Sequence, residues 1–536
     1  MTDSQIRMPS QIDRRSLLRA GAAGLALVPG MALLNACSPS PSPSRNESKT
    51  LRYALTDPRD PNVDPGSVVG VNSVILGFCL YEGLASFTPV SGMKAGSKAS
   101  ALQNSLAEEF ELSKDGLRLK FKLKQGVEFH GGFGELTAND VRFSFERVAG
   151  KTGEELAYAG DWLALDRVNV TGKYEGEVTL TQPYAPLLTT TIPWFAGWIV
   201  SEKAMKERGK DFSTNPIGTG PYEWAEWVPQ QRVVLRRFEN WHGDATPDWE
   251  EIRLEYVSDQ TAQATALEAG SIDAGRLSVD KVKTLSKRQG LKVASADSLD
   301  QIWLGMNLDQ PKLKDRNVRE AIRYAVDVPA ILDGAYDGLY AQATGTVAPG
   351  MPVGYWSDAP KYKRDVERAK GLLKTSGAES LDLTLTVSKD TEFRLIAEIV
   401  QASLAEVGIN VKIDVRSDLV SLGKAARELE LFIGSFSFVP PDPVWATQWW
   451  RCDQRDQYNW MYWCDEEYDR LDRQAVEVVD PAKRGEIYIE EQKVWDAAAH
   501  SVWLAWPTVY VGLREGLEPS WLTSIPYLPN FRRSGS

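Results

Sequence analysis

Leu381 to Val387 reads as a strand, Phe393 to Val407 as a helix and Ile409 to Val415 as a second strand. A strand–helix–strand unit restricts the chain to folds that layer helices on a sheet. The same alternation runs through the whole sequence. Leu51 to Leu55 alternates as a strand and opens the folded body, and Asn72 to Leu84 is an apolar-faced helix. Leu117 to Leu123 alternates strictly, which predicts a half-buried strand with a basic outer face. Thr137 to Asp140 caps a helix running through Val141 to Val148. Arg232 to Arg237 and Ile252 to Tyr256 read as strands around an exposed loop, Asn240 to Pro247. Asp259 to Ala269 is a helix stopped by Gly270, and Asn317 to Ala325 and Val366 to Leu373 are amphipathic helices. The fold class is therefore mixed α/β. With 536 residues the chain exceeds the roughly 250–300 at which one hydrophobic core stops growing, so two or three lobes are expected. Spacing alone does not give their number.

The start of the chain reads as an address. Arg14-Arg15-Ser16-Leu17-Leu18-Arg19 is a basic segment, and Ala20 to Ala36 is a small-residue apolar stretch broken by Pro29. That stretch is too short to span a bilayer as a stable helix. The paired arginines resemble a twin-arginine export signal. Asp13 and Leu17 depart from it, where such signals carry Ser or Thr and Phe; an ordinary Sec signal is the alternative. Leu34-Asn35-Ala36-Cys37 resembles a lipobox, in which Cys37 becomes the lipid-bearing N-terminus. Ser38 to Ser44 alternates Ser and Pro, a composition that stays extended and does not pack. It reads as a tether.

Composition narrows the function classes. A 43% hydrophobic chain is not disordered, and no apolar run reaches the roughly 20 residues of a membrane span. A formal charge of −12 argues against nucleic acid. The three histidines, His130, His242 and His500, and four cysteines leave little material for a metal centre; no metal or cofactor is expected. Outside the cytoplasm cysteines tend to pair. Cys452 and Cys464, flanking an aromatic segment, are the expected disulfide, and Cys79 a buried free thiol. A zinc site at Cys452 and Cys464 lacks two further ligands nearby.

An enzyme reading finds no support. G-x-S-x-G, H-E-x-x-H and C-x-x-C are all absent. Gly218-Thr219-Gly220 is followed at once by Pro221 and reads as a tight turn into a strand, and His130, among glycines at a strand end, reads as a turn residue. Glu466-Glu467 and Glu490-Glu491 read as solvated helix faces.

Several blocks, in order, resemble family 5 of the extracytoplasmic solute-binding proteins, the peptide/nickel/opine class. They are Leu106-Ala107-Glu108 with Gly116 to Leu123, Val127 to Gly131, Thr137 to Ser144, Pro216 to Tyr222, Asn240-Trp241, and Gly270 to Asp273. Asn307, Asp315, Val318-Arg319, Ala321-Ile322 and Tyr324 to Asp327 follow, then Asp365 to Leu373. Cys452, Asn459, Trp463-Cys464 and Tyr468-Asp469 match the cysteine-paired segment of the dipeptide-binding branch. The resemblance covers the chain from Leu51 onward, with an extra Gly-Phe-Gly-Glu after Gly131.

The resemblance implies a type II two-lobed periplasmic-binding-protein clamp with an extra inserted domain, closing by hinge motion on a solute. The expected division is 1–37 export signal, 38–49 tether, 50–87 with 212–298 and 508–533 lobe I, 88–211 inserted domain, and 299–507 lobe II. It also implies a monomeric receptor that delivers its solute to the permease subunits of an ABC importer, anchored on the extracytoplasmic side through Cys37. Phe436 to Trp445 is where the family's ligand wall and hinge meet, so Trp303, Phe436, Phe438, Val439, Asp442 and Trp445 are expected at the ligand. Lys389 lies near the position of a family basic residue that meets the ligand carboxylate. In the family's peptide binders an aspartate three residues before the Asp-Pro pair holds the α-ammonium; here that position is Val439. A free ammonium there would be desolvated unpaired. A short peptide or peptide-like solute remains the first expectation. A sugar conjugate or opine is the alternative, ahead of a nickel or haem receptor or an exported hydrolase.

Overall fold

Strand β1 (Thr50–Leu55) lies inside its sheet with Leu51, Tyr53 and Leu55 at most 1% exposed, which is why its apolar residues are so closely spaced. In this computed structural model, residues 49–56, 62–67, 70–95, 101–437 and 440–534 are described. The export signal, Cys37, the tether, Phe438 and Val439 lie outside the described residues.

After β1 come β2 (Lys94–Ala95) and then four strands of a separate antiparallel sheet: β3 (Ala107–Leu112), β4 (Arg118–Leu123), β5 (Leu165–Val170) and β6 (Glu175–Leu180), in the order β3-β4-β6-β5. The basic face of β4 lies between two acidic rows. Lys120 faces Glu111 and Glu177, and Lys122 faces Glu109 and Glu175. Such cross-strand opposite charges set register.

The chain then returns with β7 (Tyr222–Val228), β8 (Arg232–Arg237), β9 (Glu251–Tyr256), β10 (Ala274–Leu277) and β11 (Leu291–Asp297). Lobe II follows with β12 (Gln301–Met306), β13 (Ala341–Gln342), β14 (Leu381–Ser388), β15 (Ile409–Arg416), β16 (Leu431–Phe436) and β17 (Ser501–Trp506). Finally β18 (Thr508–Arg514) goes back to lobe I. The lobe I sheet runs β7-β8-β9-β1-β10-β18-β11-β2, and the lobe II sheet β13-β17-β12-β16-β14-β15. The strand–helix–strand unit forms as expected: β14 and β15 pair in parallel from Leu381↔Ile409, joined by the helix Thr391–Ala405. β12 and β17 lie inside the sheet and are buried at every position.

Aspartates start many helices. Asp259, Asp315, Asp365, Asp465 and Asp480 each accept a backbone N–H of the first turn, satisfying donors that the helix itself cannot. Thr137 and Asp140 form a reciprocal capping box. Gly270 ends its helix at φ 74°, a conformation open to glycine without strain.

Two expectations need correction. Residues 88–211 are not wholly inserted: Val90 pairs with Trp521 and Lys94 with Ser295, so this stretch belongs to lobe I sheets. The inserted segment also shares one continuous core with lobe I; the helix Val71–Leu80 approaches Trp198 so closely that a Cβ on Gly77 would lie 2.1 Å from the ring. Second, Glu490 is solvated but Glu491 is not. On the helix Pro481–Ala498 Glu491 is 0% exposed, packed beside Tyr468 and Asp472 with no cation paired to it. Adjacent helix positions differ by about 100° in direction, so one glutamate of the pair points inward.

The disulfide Cys452–Cys464 is formed, Cys79 is a buried free thiol, and the loop closed by the disulfide contributes about 3 kcal/mol by chain-entropy arithmetic. Burial pushes the Glu491 carboxyl well above its ordinary range. The folded state therefore keeps a proton that the unfolded chain loses, and stability from this group falls as pH rises above about 4.5. Glu491→Met should stabilise the protein by about 1–3 kcal/mol at pH 7 and flatten the decline in stability between pH 5 and 8. Urea midpoints at the two pH values check both effects.

Candidate functional site

The chain passes between the two sheets at residues 298–300 and again at Pro507. The two passages are tied together. The Ser298 N–H and Oγ–H both donate to the Pro507 carbonyl, at 3.1 and 2.9 Å. Two short connections joined side by side form a hinge, because they can bend together without breaking either sheet.

Sheet register decides what lies beside the hinge. Gln301 at the start of β12 faces Phe436 at the end of β16, and β14 runs parallel to β16, so Ser388 and Lys389 reach the same edge. Ser437 Oγ donates to Asp300 Oδ1 at 2.9 Å, and Ser388 Oγ to Asp390 Oδ2 at 2.7 Å. Lys389 is exposed.

Beyond this edge the chain folds into a tight turn at Pro440 to Pro443. Asp442 is 0% exposed and Arg484 is 4% exposed. Arg484 Nη1 and Nη2 donate to the two carboxylate oxygens at 2.7 and 2.5 Å. The Val444 N–H adds a third contact at 3.0 Å, and Thr189 Oγ of the inserted segment a fourth at 2.5 Å. The guanidinium is also satisfied, by the Ala475 carbonyl and Tyr488 OH. Burial works against its charge, but Asp442 and Tyr488 outweigh that and raise its pKa. A buried ion pair holds only with such complete partnering. At the rim Gly116, at φ 71°, leaves room for Val479 of lobe II; a Cβ there would lie 2.9 Å from Val479 Cγ2.

Next to this clasp an aromatic seam joins the bodies. Trp445 lies 6.3 Å from Tyr158 and 6.2 Å from Phe195, ring centre to ring centre, and 5.6 Å from Trp449. Trp449 stacks on Phe436 at 5.8 Å and meets Tyr458 edge-on at 4.8 Å. Tyr158, Phe436, Trp445 and Trp449 are half-buried and Tyr458 is exposed. The Trp445 indole N–H is buried without a partner. Burial first, then the charges of Asp161 and Asp442, raise the Tyr184 pKa.

The expected residues divide. Phe436 and Trp445 are in the seam. Trp303 is not: it is 3% exposed, lies over Gly434, and packs edge-on against Trp450 at 5.2 Å. Asp442 faces into the fold, where its oxygens are occupied by Arg484, Val444 and Thr189. Phe438 and Val439 lie outside the described residues. Sequence reasoning missed Tyr158, Phe195, Trp449, Tyr458, Thr189 and Arg484. The Trp449-Trp450 pair just after Asp442-Pro443 was a usable signal; nothing links Thr189 to Asp442 across 253 positions.

His130 is a turn residue. The Gly218 N–H donates to its Nδ1 and its Nε2–H donates to the Gly220 carbonyl at 2.9 Å, while burial lowers its pKa to about 4. His242 pairs with Glu82 at 2.9 Å, and His500 is buried between Trp463 and Trp495. Among the described residues no three His, Cys, Asp or Glu side chains gather to hold a metal ion.

Comparison with known proteins places this geometry. Residues 101–458 match the model of the bacterial extracellular solute-binding proteins, family 5 Middle. A dipeptide-binding protein of Escherichia coli K12 is 28% identical over 447 residues, covering 76% of this chain and 82% of that protein. A glutathione-binding protein of Shigella flexneri serotype 5b is 24% identical over 416 residues, covering 75% and 80%. The Helicobacter pylori periplasmic binding protein DppA, solved with the peptide STSA, has the same fold. Its TM-score is 0.77 at 23% identity, over 91% of this chain and 99% of that one.

Asp442→Asn would leave a buried guanidinium facing a neutral amide. It should destabilise the protein by about 3–5 kcal/mol, read from thermal or urea unfolding. A loss under about 1 kcal/mol would show that the pair is not the clasp described.

Proposed function

This chain belongs to the bacterial extracellular solute-binding proteins of family 5, and on that premise we propose that it is the receptor of an ABC importer. It captures a short peptide or peptide-like solute between its lobes and delivers it to permease subunits. The observation that carries this reading is the aromatic seam beside the clasp, where Trp445 of lobe II meets Tyr158 and Phe195 of the other body. Aromatic walls supply contact area, and a few polar groups supply orientation. Such a seam is covered when the lobes close and offered to a solute when they part. The relatives named for a dipeptide and for glutathione support a peptide-like ligand. Nothing in the site asks for chemistry, and the relatives compared are binding proteins.

One residue supports a second reading. Val439 stands where the family's peptide binders carry an aspartate, which favours a sugar conjugate or an opine. Nickel is the weaker reading, since His130, His242 and His500 are each engaged within the fold. The receptor works as a monomer outside the cytoplasm. It is exported by the paired-arginine signal and held at the membrane by lipid on Cys37.

Calorimetric titration with a pool of di- and tripeptides, beside opines and sugar conjugates, decides the solute class. Saturable binding of the peptides is expected; binding of opines alone would replace the reading. Separately, Cys37→Ala should move the protein from the membrane fraction to the soluble fraction of detergent-free lysate. Retention in the membranes would refute the anchor.

A further inference from the structure

Tyr158 reaches the seam at the end of an exposed stretch. Turns and irregular chain join the helix Ala138–Val148 to the short turn Ala159–Trp162, and from Lys151 to Glu155 every residue is exposed. A segment of this kind does not hold a ring in place by its own packing. Its position comes from outside, and one side chain gathers the contacts that supply it.

Arg147, in the last turn of that helix, is 3% exposed. Its Nη1 and Nη2 donate to the two carboxylate oxygens of Asp64 at 2.8 and 2.6 Å, and its Nε donates to Glu154 Oε2 at 2.9 Å. Asp64 belongs to the loop that follows β1 and Glu154 to the exposed stretch, so the guanidinium ties the two together. A bidentate fork fixes direction as well as distance. Burial opposes the charge of Arg147, but the two carboxylates outweigh that and raise its pKa.

The tied loop then meets the stretch directly. Asp64 Oδ1 accepts the Gly66 N–H at 3.3 Å, and the Gly66 carbonyl accepts the Ala157 N–H at 3.0 Å. The approach is close: a Cβ on Gly66 would lie 2.5 Å from Leu156 Cδ1. The next residue is Tyr158, whose ring centre lies 4.2 Å from that of Phe195 and 6.3 Å from that of Trp445.

We infer that Arg147 is a positioning residue of the solute site: by tying Asp64 to Glu154 it holds Tyr158 where the solute meets it. This rests on the reading of the seam as the solute site, and adds to it a residue that acts through another. A ring fixed before the solute arrives costs nothing to order on binding.

The test is a double-mutant cycle read by calorimetric titration with a pool of synthetic di- and tripeptides. Arg147→Gln should weaken binding of the pool about tenfold, since the ring must then be ordered as the solute arrives. Arg147→Lys, which can still meet Asp64, should recover part of that loss. Tyr158→Ala should also weaken binding, and in that background Arg147→Gln should change affinity by less than about twofold. A residue that only stabilised the fold would lower the melting temperature and leave the affinity of the folded protein unchanged. That result overturns the inference, as does a cycle in which the two affinity losses multiply. Amide exchange reads the same contact without solute: Arg147→Gln should speed exchange at Ala157 about tenfold more than at Leu119 in β4. An equal change at the two amides overturns the inference too. Should Arg147→Gln fail to fold, Asp64→Asn, which weakens the same pair from the loop, takes its place in the cycle. If the parent binds no peptide, the peptide reading falls, and exchange at Ala157 alone decides what Arg147 holds.

Discussion

The buried pair of Asp442 and Arg484 sets the joint on which the molecule depends. A carboxylate removed from water must have every oxygen engaged, and here the engagement comes from three directions: the helix Pro481–Ala498, the turn's own backbone, and Thr189 of the inserted segment. The pair therefore fixes how the Pro440–Pro443 turn leaves the lobe II sheet. That turn in turn aims Trp445 at Tyr158 and Phe195. If the pair were removed, the seam would lose the backbone that positions it.

The hinge and the clasp have opposite physical characters, and a clamp needs both. At the hinge the bodies are joined by backbone hydrogen bonds around Ser298 and Pro507, which tolerate bending. Across the clasp the link is one threonine hydroxyl and a set of ring edges. Thr189 donates to a carboxylate that Arg484 already satisfies, so breaking that single bond exposes no unpaired charge inside lobe II.

Much of the fold was legible because its signals are local. The alternation of Leu117 to Leu123, the Thr137–Asp140 cap and the stop at Gly270 depend on neighbouring residues, and all form where the sequence placed them. The failures have one cause. Glu491 was misjudged, and Trp303 lies deeper than its sequence neighbours suggest, because burial depends on what packs over a residue from far along the chain: Tyr468 and Asp472 around the first, and Trp450 and Trp503 over the second. The edge at residues 90–95 was assigned to the inserted segment for the same reason, since its partners Ser295 and Trp521 are remote.

By itself the sequence determined the α/β class, the expectation of several lobes, the Cys452–Cys464 pairing and the family, since each rests on periodicity, residue type or ordered motifs. Only the tertiary structure decided which groups share the joint. Thr189, Asp442 and Arg484 come together from three separate segments. Whether a charge is balanced is a property of three-dimensional neighbours. No one-dimensional pattern encodes it, because the balancing group can come from any distance along the chain, or from outside it.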